Sequence, residues 1–442
     1  MNWRAQLGNR SIDRNMYDTV LAQQRGLRTA GIDLPKDSLV AADAHGGAAE
    51  RPLRILFSHR TQSRDGQFVH IQELIQALRT LGNTVIVIEP RHVRSLKLGE
   101  EPRIARVIKS YIPRFIYELI ELAYSIPEFF SLAKACRSHR PDILYQRANL
   151  YMLSGWLCAR LFGLPYLLEV NSPLTEERAS FDNLRLRGLA WRVERAAWRA
   201  ADQVLPVTHV LARKIMDVGI PPDRITVVPN GVDLERFVPT ASAGLRRTLS
   251  LENKLVLGFV GFVREWHHAD AIIDLLAGSE LPVNSHFLIV GDGPIKEALL
   301  DRARRLGVDD RLTITGIVPR EDVAKYIECF DIALQPHVVA YASPLKLLEY
   351  MALARAIVAP ATENIKELLG HETNALLIDA DDRAALASAV TRLANDAELR
   401  KKLGAAARAT ILSRDLTWLR NARVVAALGQ ASIEGGPKRQ FA

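Results

Sequence analysis

Short apolar runs alternate with amphipathic helical patterns along most of this chain, and this alternation limits the fold more than any other feature. Residues 53–58 and 84–90 are two such runs, and between them hydrophobic residues recur at helical spacing until Gly82. A strand, a helix and a second strand in so short a segment predict a parallel strand pair with a crossover connection. The same alternation resumes at Leu255. We therefore predict an α/β protein with two Rossmann-like, doubly wound sheets.

The chain length supports more than one such unit. With 442 residues, of which 48% are apolar and 24% charged, the composition is that of a globular protein with two or three domains. Asn230 and Gly231, bracketed by Pro229 and Pro239, form a strong turn signal of the kind expected at a hinge. We predict four segments: an extension over residues 1–51, a first domain over 52–235, a second domain over 236–416, and a closing helix with a tail over 417–442.

Three sequence features predict a cytoplasmic protein. No run of about 18 apolar residues is present, so a membrane-spanning helix is not expected. The N-terminus lacks the apolar core of a secretory signal. Cys136, Cys158 and Cys329 are widely separated in the sequence, which indicates a reducing compartment and argues against a disulfide framework or a zinc site.

The net charge of +8 favours anionic partners. Nucleic acid is not expected among them, because aromatic and basic residues do not interleave and no zinc-finger spacing occurs. Residues 103–116 combine basic and apolar positions in a helical pattern, as helices that lie on anionic lipid do. We predict peripheral contact with the inner face of a membrane, helped by a set of arginines: Arg178, Arg185, Arg187, Arg192, Arg195 and Arg199. The alternative is a basic face that only keeps the protein in solution.

Residues 341–360 predict a loop, a helix and a buried strand, and the start of that helix is a predicted anion site. Ser343 suits the N-cap position and Pro344 the first helical position. The next three N–H groups lack intrahelical partners, and they belong to Leu345, Lys346 and Leu347. Helix N-termini of this kind bind phosphate groups, and the charge of Lys346 strengthens the prediction of a diphosphate ligand.

Glu349 lies on the same helical face, three residues after Lys346. Its carboxylate could accept two hydroxyl hydrogen bonds from a sugar ring, so the element could hold a ribose beside the diphosphate. The alternative is a buried helix that carries a Lys346–Glu349 pair on its surface.

Glycines after two of the predicted strands offer bare backbone to a ligand. Gly66 follows the first strand of the first domain, and Gly291 and Gly293 follow a strand of the second. Ligands of open parallel sheets gather at the carboxyl ends of the strands. We therefore assign these three glycines to the site of the diphosphate ligand.

The helix start and its flanking strand resemble the nucleotide-binding signature of family 4 glycosyltransferases, which have the GT-B fold, with two domains facing a cleft. Glu349 matches the second Glu of that signature, whereas Tyr341 stands where the first Glu is usual. In the family a Gly, an Arg and a Lys after a strand grip the donor diphosphate. These positions fall at Gly261, Arg264 and His267, so a titrating group replaces one permanent charge. The resemblance extends over most of the chain after residue 52.

The resemblance also implies an acceptor and sugar side at the end of the strand over residues 165–170. Many family members carry a His there, whereas this chain has Asn171, with Glu169 two residues earlier. We assign both residues, together with His70, to the acceptor and sugar side. Pairing with Arg147 is the alternative role for the Glu169 carboxylate.

The function that the resemblance implies is transfer of a hexose from a nucleotide-diphosphate sugar to an acceptor hydroxyl, with retention of configuration and without a metal or another cofactor. Arg264 and Lys346 would stabilise the departing diphosphate, and Glu349 would hold the ribose of the same nucleotide. A carbohydrate or lipid-linked acceptor, in polysaccharide or glycolipid biosynthesis, would receive the sugar. Two alternatives stay open: a sugar-nucleotide epimerase or phosphorylase on the same fold, and a nucleotide-sugar-binding protein without catalysis.

Overall fold

The computed structural model describes residues 51–61, 66–90, 112–240 and 243–435. The first part of the chain forms a sheet of five parallel strands: β1 (Arg54–Ser58), β2 (Thr84–Ile88), β3 (Ile143–Arg147), β4 (Tyr166–Val170) and β5 (Gln203–Pro206). They lie in the order β2-β1-β3-β4-β5. Short apolar strands that are buried on both faces are typical of parallel sheets, because helices cover each face.

Helices cover both faces of this first sheet, and the period-two geometry of a strand explains how. They are α1 (Gly66–Thr80), α2 (Arg114–Ala123), α3 (Ser125–His139), α4 (Ser154–Phe162), α5 (Leu174–Phe181), α6 (Arg187–Ala200) and α7 (His209–Asp217). Ile55 and Phe57 of β1 share a core with Ile71 of α1. Leu56 points to the other face and shares a core with Leu132 of α3.

The second part of the chain forms a sheet of six parallel strands, as the resumed alternation predicted. The strands are β6 (Leu255–Val260), β7 (Ser285–Val290), β8 (Leu312–Ile314), β9 (Ile332–Leu334), β10 (Ala356–Pro360) and β11 (Leu376–Ile378). Their order in the sheet is β11-β10-β9-β6-β7-β8. Strands that follow one another in the chain are linked by crossovers, so the loops that bind ligands collect at the edge formed by the carboxyl ends of the strands.

Helices also cover both faces of the second sheet. They are α8 (Ala243–Thr248), α9 (Ala269–Ala277), α10 (Lys296–Leu306), α11 (Val323–Glu328), α12 (Leu345–Ala352), α13 (Glu363–Lys366), α14 (Arg383–Asn395) and α15 (Ala397–Ser413). Val256 shares a core with Leu348 of α12, and its neighbour Leu257 shares the opposite core with Ile272 of α9.

A last helix, α16 (Trp418–Gly435), returns to the first sheet. Trp418 and Val425 are buried in the same core as Leu74 of α1. The segment that leaves the first sheet and the segment that returns to it lie side by side. Val232 N–H in the first donates to Leu416 O in the second at 3.0 Å. The segment boundaries predicted from the sequence stay predictions, and residues 1–50 lie outside the described residues.

Residues 225–229 run beside β5 but form only a single parallel bridge, between Ile225 and Val204. Thr226 N–H still donates to Val204 O at 3.0 Å, and Val228 N–H donates to Pro206 O at 2.9 Å. In a parallel ladder a hydrogen bond would also run from the N–H of residue 206 back to the 225–229 segment. Residue 206 is a proline and has no N–H, so the ladder stops.

None of the helices in the described ranges is both long and apolar enough to cross a membrane.

Candidate active site

The loops at the carboxyl ends of both sheets line one cleft of about 780 Å³. Most of the site residues predicted from the sequence border it, namely Gly66, His70, Asn171, Gly261, Arg264, His267, Ser343, Pro344, Leu345, Lys346 and Glu349. Four do not: Glu169, Gly291, Gly293 and Leu347. The cleft is therefore built from both halves of the chain.

The helix start differs from its prediction in one respect. Helix α12 begins at Leu345, and Pro344 precedes it in an extended conformation, so Ser343 is not the N-cap. The Ser343 hydroxyl instead accepts a hydrogen bond from Asn230 N–H at 3.1 Å. Leu347 is buried, and its N–H donates to Pro344 O at 3.2 Å. Of the three N–H groups predicted to face an anion, those of Leu345 and Lys346 therefore remain candidates, because both belong to the first turn of the helix.

Lys346 brings a cation to the floor of the cleft. Its Nζ lies 3.9 Å from the centroid of the Phe259 ring. A Cβ at Gly261 would lie 3.3 Å from the same Nζ, a tight contact, and the backbone φ of +127° at this residue also favours glycine. Burial lowers the pKa of Lys346 to about 7, with the Glu349 carboxylate acting in the opposite direction. An anion bound beside Nζ would restore the charged form.

Glu349 is buried, at 3% exposure, and pairs with an arginine that the sequence did not single out. Its Oε1 lies 2.6 Å from the guanidinium of Arg320, in the loop after β8. The same arginine approaches Glu73 of α1 at 3.8 Å and lies over the Phe237 ring. Glu349 is therefore not part of a surface pair with Lys346. One carboxylate oxygen is committed to Arg320, which leaves Oε2 for a ligand.

The loop after β6 places aromatic rings around Arg264 at the rim of the cleft. Arg264 is exposed, and its guanidinium carbon lies 5.2 Å from the Phe262 ring centroid and 5.0 Å from that of Trp266. Trp266 in turn lies 6.3 Å from Phe181, at the end of α5. The two halves of the chain thus meet at this rim through exposed aromatic side chains.

His267 does not supply the titrating charge expected at its position. Its Nδ1 accepts a hydrogen bond from Arg264 N–H at 3.0 Å. Burial, reinforced by the charges of Lys346 and Arg264, lowers the pKa of His267 to about 2. The ring is therefore neutral at physiological pH, and Lys346 is the cation beside Gly261.

Gly291 and Gly293 hold the neighbouring loop in place. A side chain on Gly291 would come within 2.2 Å of Gly261 O, and one on Gly293 within 2.0 Å of Val263 O. Gly291 also has φ +141°, which other residues rarely adopt. In this structure the two glycines permit backbone packing against the Gly261 loop, and their assignment as direct donor contacts stays a prediction.

Glu169 lies beneath the cleft wall and organises the side chains above it. It is 2% exposed, and Arg147, Asn171 and Tyr145 each donate to it at 2.5 Å. Burial alone would raise the pKa of Glu169, but nearby His70 and Arg147 lower it well below its usual range. The alternative role, pairing with Arg147, is therefore the observed one, and Asn171 rather than Glu169 reaches the cleft.

His70 and Tyr341 tie parts of the cleft together. His70 is buried, with Nδ1 2.6 Å from Asn230 Oδ1 and Nε2 3.0 Å from Glu169 Oε2. Tyr341, where the resembled signature has its first Glu, contacts Glu177 of α5, and burial together with that carboxylate raises its pKa. A hydroxyl with an existing carboxylate partner does not reproduce the charge of the missing Glu.

Comparison with known proteins decides the family. Residues 64–236 match the family model described as Glycosyltransferase Family 4, and residues 254–396 match that of Glycosyl transferases group 1. The 2-deoxystreptamine N-acetyl-D-glucosaminyltransferase of Streptomyces fradiae is 30% identical over 328 residues, which cover 70% of this chain and 77% of that enzyme. The chain belongs to glycosyltransferase family 4.

Other relatives and solved structures agree with this assignment. A GDP-mannose-dependent alpha-mannosyltransferase of Mycobacterium tuberculosis is 26% identical over 352 residues, covering 78% of this glycosyltransferase and 87% of that one. The sucrose-phosphate synthase of Thermosynechococcus elongatus superposes with a TM-score of 0.70 at 19% identity, over 87% of this chain and all of that one. Anabaena HepE in complex with UDP superposes with a TM-score of 0.65 at 17% identity, over 86% of this chain and all of that one. The predicted GT-B fold is confirmed.

Several residues at the cleft of this glycosyltransferase were missed by the sequence reasoning. Arg320, Gln335 and His337 line it, and Arg147 was named only as a partner for Glu169. Gln335 directly follows β9, so the strand-end rule applied at Glu169 would have found it. Arg320 carried no local signal, because its partner is brought to it by the fold. No group of three or more His, Cys, Asp or Glu side chains in the described ranges has the geometry of a metal site.

Proposed function

We propose that this glycosyltransferase moves a sugar from a nucleoside diphosphate sugar to an acceptor hydroxyl, with retention of anomeric configuration and without a metal ion. The observation that carries the proposal is the cluster at the start of α12. There the Lys346 ammonium stands beside Gly261, at a helix N-terminus, with Glu349 one turn further on. This set suits a diphosphate next to a ribose.

The leaving nucleotide gains negative charge as the bond from C1 of the sugar to the diphosphate oxygen breaks. Lys346 and the N–H groups of Leu345 and Lys346 are placed to stabilise that charge before the reaction begins. Arg264 at the rim supplies a second cation. In this role the cations do what a divalent metal does in other transferases, which supports the proposal of metal independence.

The carboxylates bear on the route of a retaining transfer. Those in or directly beneath the described part of the cleft already have partners: Glu349 has Arg320, Glu177 has Tyr341, and Glu169 has Arg147. None of these is therefore an evident nucleophile for a double displacement, which favours same-face transfer as the route to retention. The acceptor oxygen would then bond to C1 on the face that the diphosphate leaves, and the hydroxyl proton would pass to the departing diphosphate oxygen.

The acceptor is proposed to be carbohydrate or lipid-linked and presented at the inner face of a membrane. Residues 103–111 of the basic stretch lie outside the described residues. Among the arginines named above, Arg178 is paired with Glu121 at 2.7 Å, and Arg195 lies over the Trp191 ring at 3.4 Å. The charge of Arg178 is therefore offset by a carboxylate, whereas Arg195 keeps its charge.

A different feature of the same region supports the membrane proposal better. Helices α2 and α3 expose a row of large apolar side chains, between 38% and 65% exposed, which we call the α2–α3 ridge: Phe115, Ile116, Leu119, Ile120, Tyr124, Ile126 and Phe130. Large apolar side chains that recur at i, i+4 spacing share one face of a helix, and an exposed apolar face is typical of an interaction site. Polysaccharide or glycolipid biosynthesis would supply a suitable acceptor.

The direct test is a turnover assay of the purified chain with UDP-, GDP- and ADP-sugars and glycolipid or oligosaccharide acceptors. We expect release of the nucleoside diphosphate and a glycoside whose anomeric configuration, measured by NMR, equals that of the donor. EDTA should leave the rate unchanged. Inverted product would contradict retention, and activity lost with EDTA and restored by manganese would contradict metal independence. Nucleotide binding without any turnover would favour the non-catalytic alternative.

A further inference from the structure

Gln335 is a buried polar residue in the cleft with an unused hydrogen-bonding atom. It follows β9, is 2% exposed and lines the cleft. Its Nε2 donates to His337 O, and its backbone N–H donates to Val358 O at 3.0 Å. A carbonyl can only accept, so this contact fixes the orientation of the carboxamide and leaves Oε1 as the open atom. No donor among the described residues reaches that oxygen.

His337, two residues further on, also lines the cleft and carries a second atom without a partner. Its Nδ1 is buried and has no hydrogen-bond partner within the described ranges. Its other nitrogen, Nε2, lies 3.8 Å from Asp381 Oδ1, and the ring makes an edge contact with His268. Two buried polar atoms without partners are costly for a fold to keep, unless a ligand or water satisfies them.

The strand order indicates which part of the donor would reach these atoms. The loop after β8 carries Arg320, which holds Glu349, the proposed ribose residue. The loop after β6 carries Gly261 beside Lys346, the proposed diphosphate site. The next strand in the sheet is β9, whose end carries Gln335. Because a nucleotide sugar runs linearly from ribose through diphosphate to sugar, its sugar would lie at the end of β9.

We propose that Gln335 Oε1, together with His337 Nδ1, binds hydroxyl groups of the transferred sugar and thereby selects which sugar this enzyme accepts. The assignment rests on the proposed function, since it takes the position of the ribose and the diphosphate from there. The amide oxygen accepts a hydroxyl hydrogen, and the imidazole nitrogen makes the second contact. An epimer with that hydroxyl on the other face of the ring would leave the buried oxygen unpaired, which is a stronger basis for discrimination than an apolar pocket.

The experiment compares each sugar nucleotide with its own free diphosphate, using the full chain and the Gln335→Met variant. Binding of UDP, UDP-glucose, UDP-galactose, UDP-N-acetylglucosamine, GDP and GDP-mannose is measured by calorimetry. We expect the variant to keep its affinity for the free diphosphate within about twofold, while the preferred sugar nucleotide binds about tenfold more weakly, as for one lost neutral hydrogen bond. Preference between the glucose and galactose epimers should shrink.

Two controls make the result decisive. His337→Phe should show the same selective loss, whereas Asn364→Leu should lack it. Asn364 supports the same loop through Val339 O and Ala342 O but does not line the cleft. Equal weakening of both ligands in Gln335→Met, or no weakening of either, would overturn the assignment. Failure of the unmodified chain to bind any of the nucleotides would overturn the proposed function, and this assignment with it.

Discussion

The carboxylate of Glu349 serves two partners under the proposed function. Oε1 pairs with Arg320 at 2.6 Å, and Oε2 is left for a ribose hydroxyl. We expect Glu349→Gln to weaken binding of a nucleotide sugar by about 1–1.5 kcal/mol, roughly 5- to 13-fold, because the hydroxyl then meets a neutral amide oxygen in place of a charged carboxylate. Calorimetry on the folded variant measures this.

The matched control is Glu73→Gln. Glu73 also contacts Arg320, at 3.8 Å, but does not line the cleft. If Glu73→Gln weakens binding as much as Glu349→Gln does, then Arg320 rather than Glu349 contacts the nucleotide. Undiminished affinity in Glu349→Gln would refute the ribose contact altogether.

Lys346 makes nucleotide binding depend on pH. Because its pKa in the free protein is lowered to about 7, chiefly by burial, the ammonium loses its proton above that pH. A bound diphosphate favours the charged form, so binding takes up a proton. Affinity should therefore be constant below pH 7 and fall above it, by up to about tenfold per pH unit.

A nucleotide sugar is the suitable probe for Lys346, since its esterified diphosphate does not titrate in this range. His267 stays neutral there, with a pKa of about 2. Lys346→Arg, whose charge is permanent, should bind with a flat pH profile. An equally steep profile in that variant would assign the titration to another group.

The ends of β3 and β4 and helix α1 are joined beneath the cleft by Glu169. Arg147, at 6% exposure, has this carboxylate as its ion-pair partner at 2.5 Å. Removing one member of a buried pair typically costs about 3–5 kcal/mol, so Glu169→Ala should lower the denaturation midpoint strongly. Glu252→Gln, in the exposed pair with Arg247, should cost roughly 0–1 kcal/mol.

The Glu169 network also predicts how stability changes with acid. Its pKa is lower in the folded chain than the ordinary 4.5, so the stabilisation is present above that pH and is lost as the pH falls below it. Glu169→Gln should flatten this acid dependence. If the variant and the unmodified chain lose stability in parallel below pH 4.5, the network does not contribute as proposed.

Helix α16 attaches the end of the chain to the first sheet through Trp418. That ring is 4% exposed and lies 5.0 Å from the His70 ring. We expect Trp418→Ala to destabilise the protein by about 3–5 kcal/mol, because a large cavity opens in the core. Trp191→Ala, at a position 48% exposed, is the control and should cost much less. Similar urea midpoints for the two variants would show that α16 is not held by this contact.

The whole enzyme should associate reversibly with anionic membranes through the α2–α3 ridge. Each basic residue close to such a surface adds about 1 kcal/mol, and apolar side chains that enter the interface add more. Co-sedimentation with anionic vesicles should exceed that with neutral vesicles at low salt. It should decrease at 1 M salt, where the Debye length is about 3 Å.

An Ile126→Ser/Phe130→Ser double variant tests the ridge itself, with Val283→Ser as the control. Val283 is 86% exposed and belongs to the second half of the chain. The double variant should stay in the supernatant while the control sediments like the unmodified chain. Equal recovery in the supernatant with both lipids would end the membrane proposal and favour a soluble acceptor.

Local patterns in the sequence were enough to predict the architecture. The helix after β1, its end at Gly82 and the buried run after Lys346 all follow from hydrophobic spacing over a few residues. Two runs of such units imply two parallel sheets, because a parallel pair needs a crossover. The position of Lys346 and Glu349 on one helical turn was likewise available from spacing alone.

The chemistry of the individual side chains depended on contacts between distant segments. Glu349 meets Arg320 from the loop after β8, Glu169 gathers Arg147 and Asn171, and Gln335, which lines the cleft, keeps a buried oxygen without a hydrogen-bond partner. His267 is neutral because of burial and of Lys346, which lies far along the chain. Hydrophobic spacing reports only which face of an element is buried. The partners, charge states and open atoms on that face arise when the order of strands in the sheets brings separate loops to one edge.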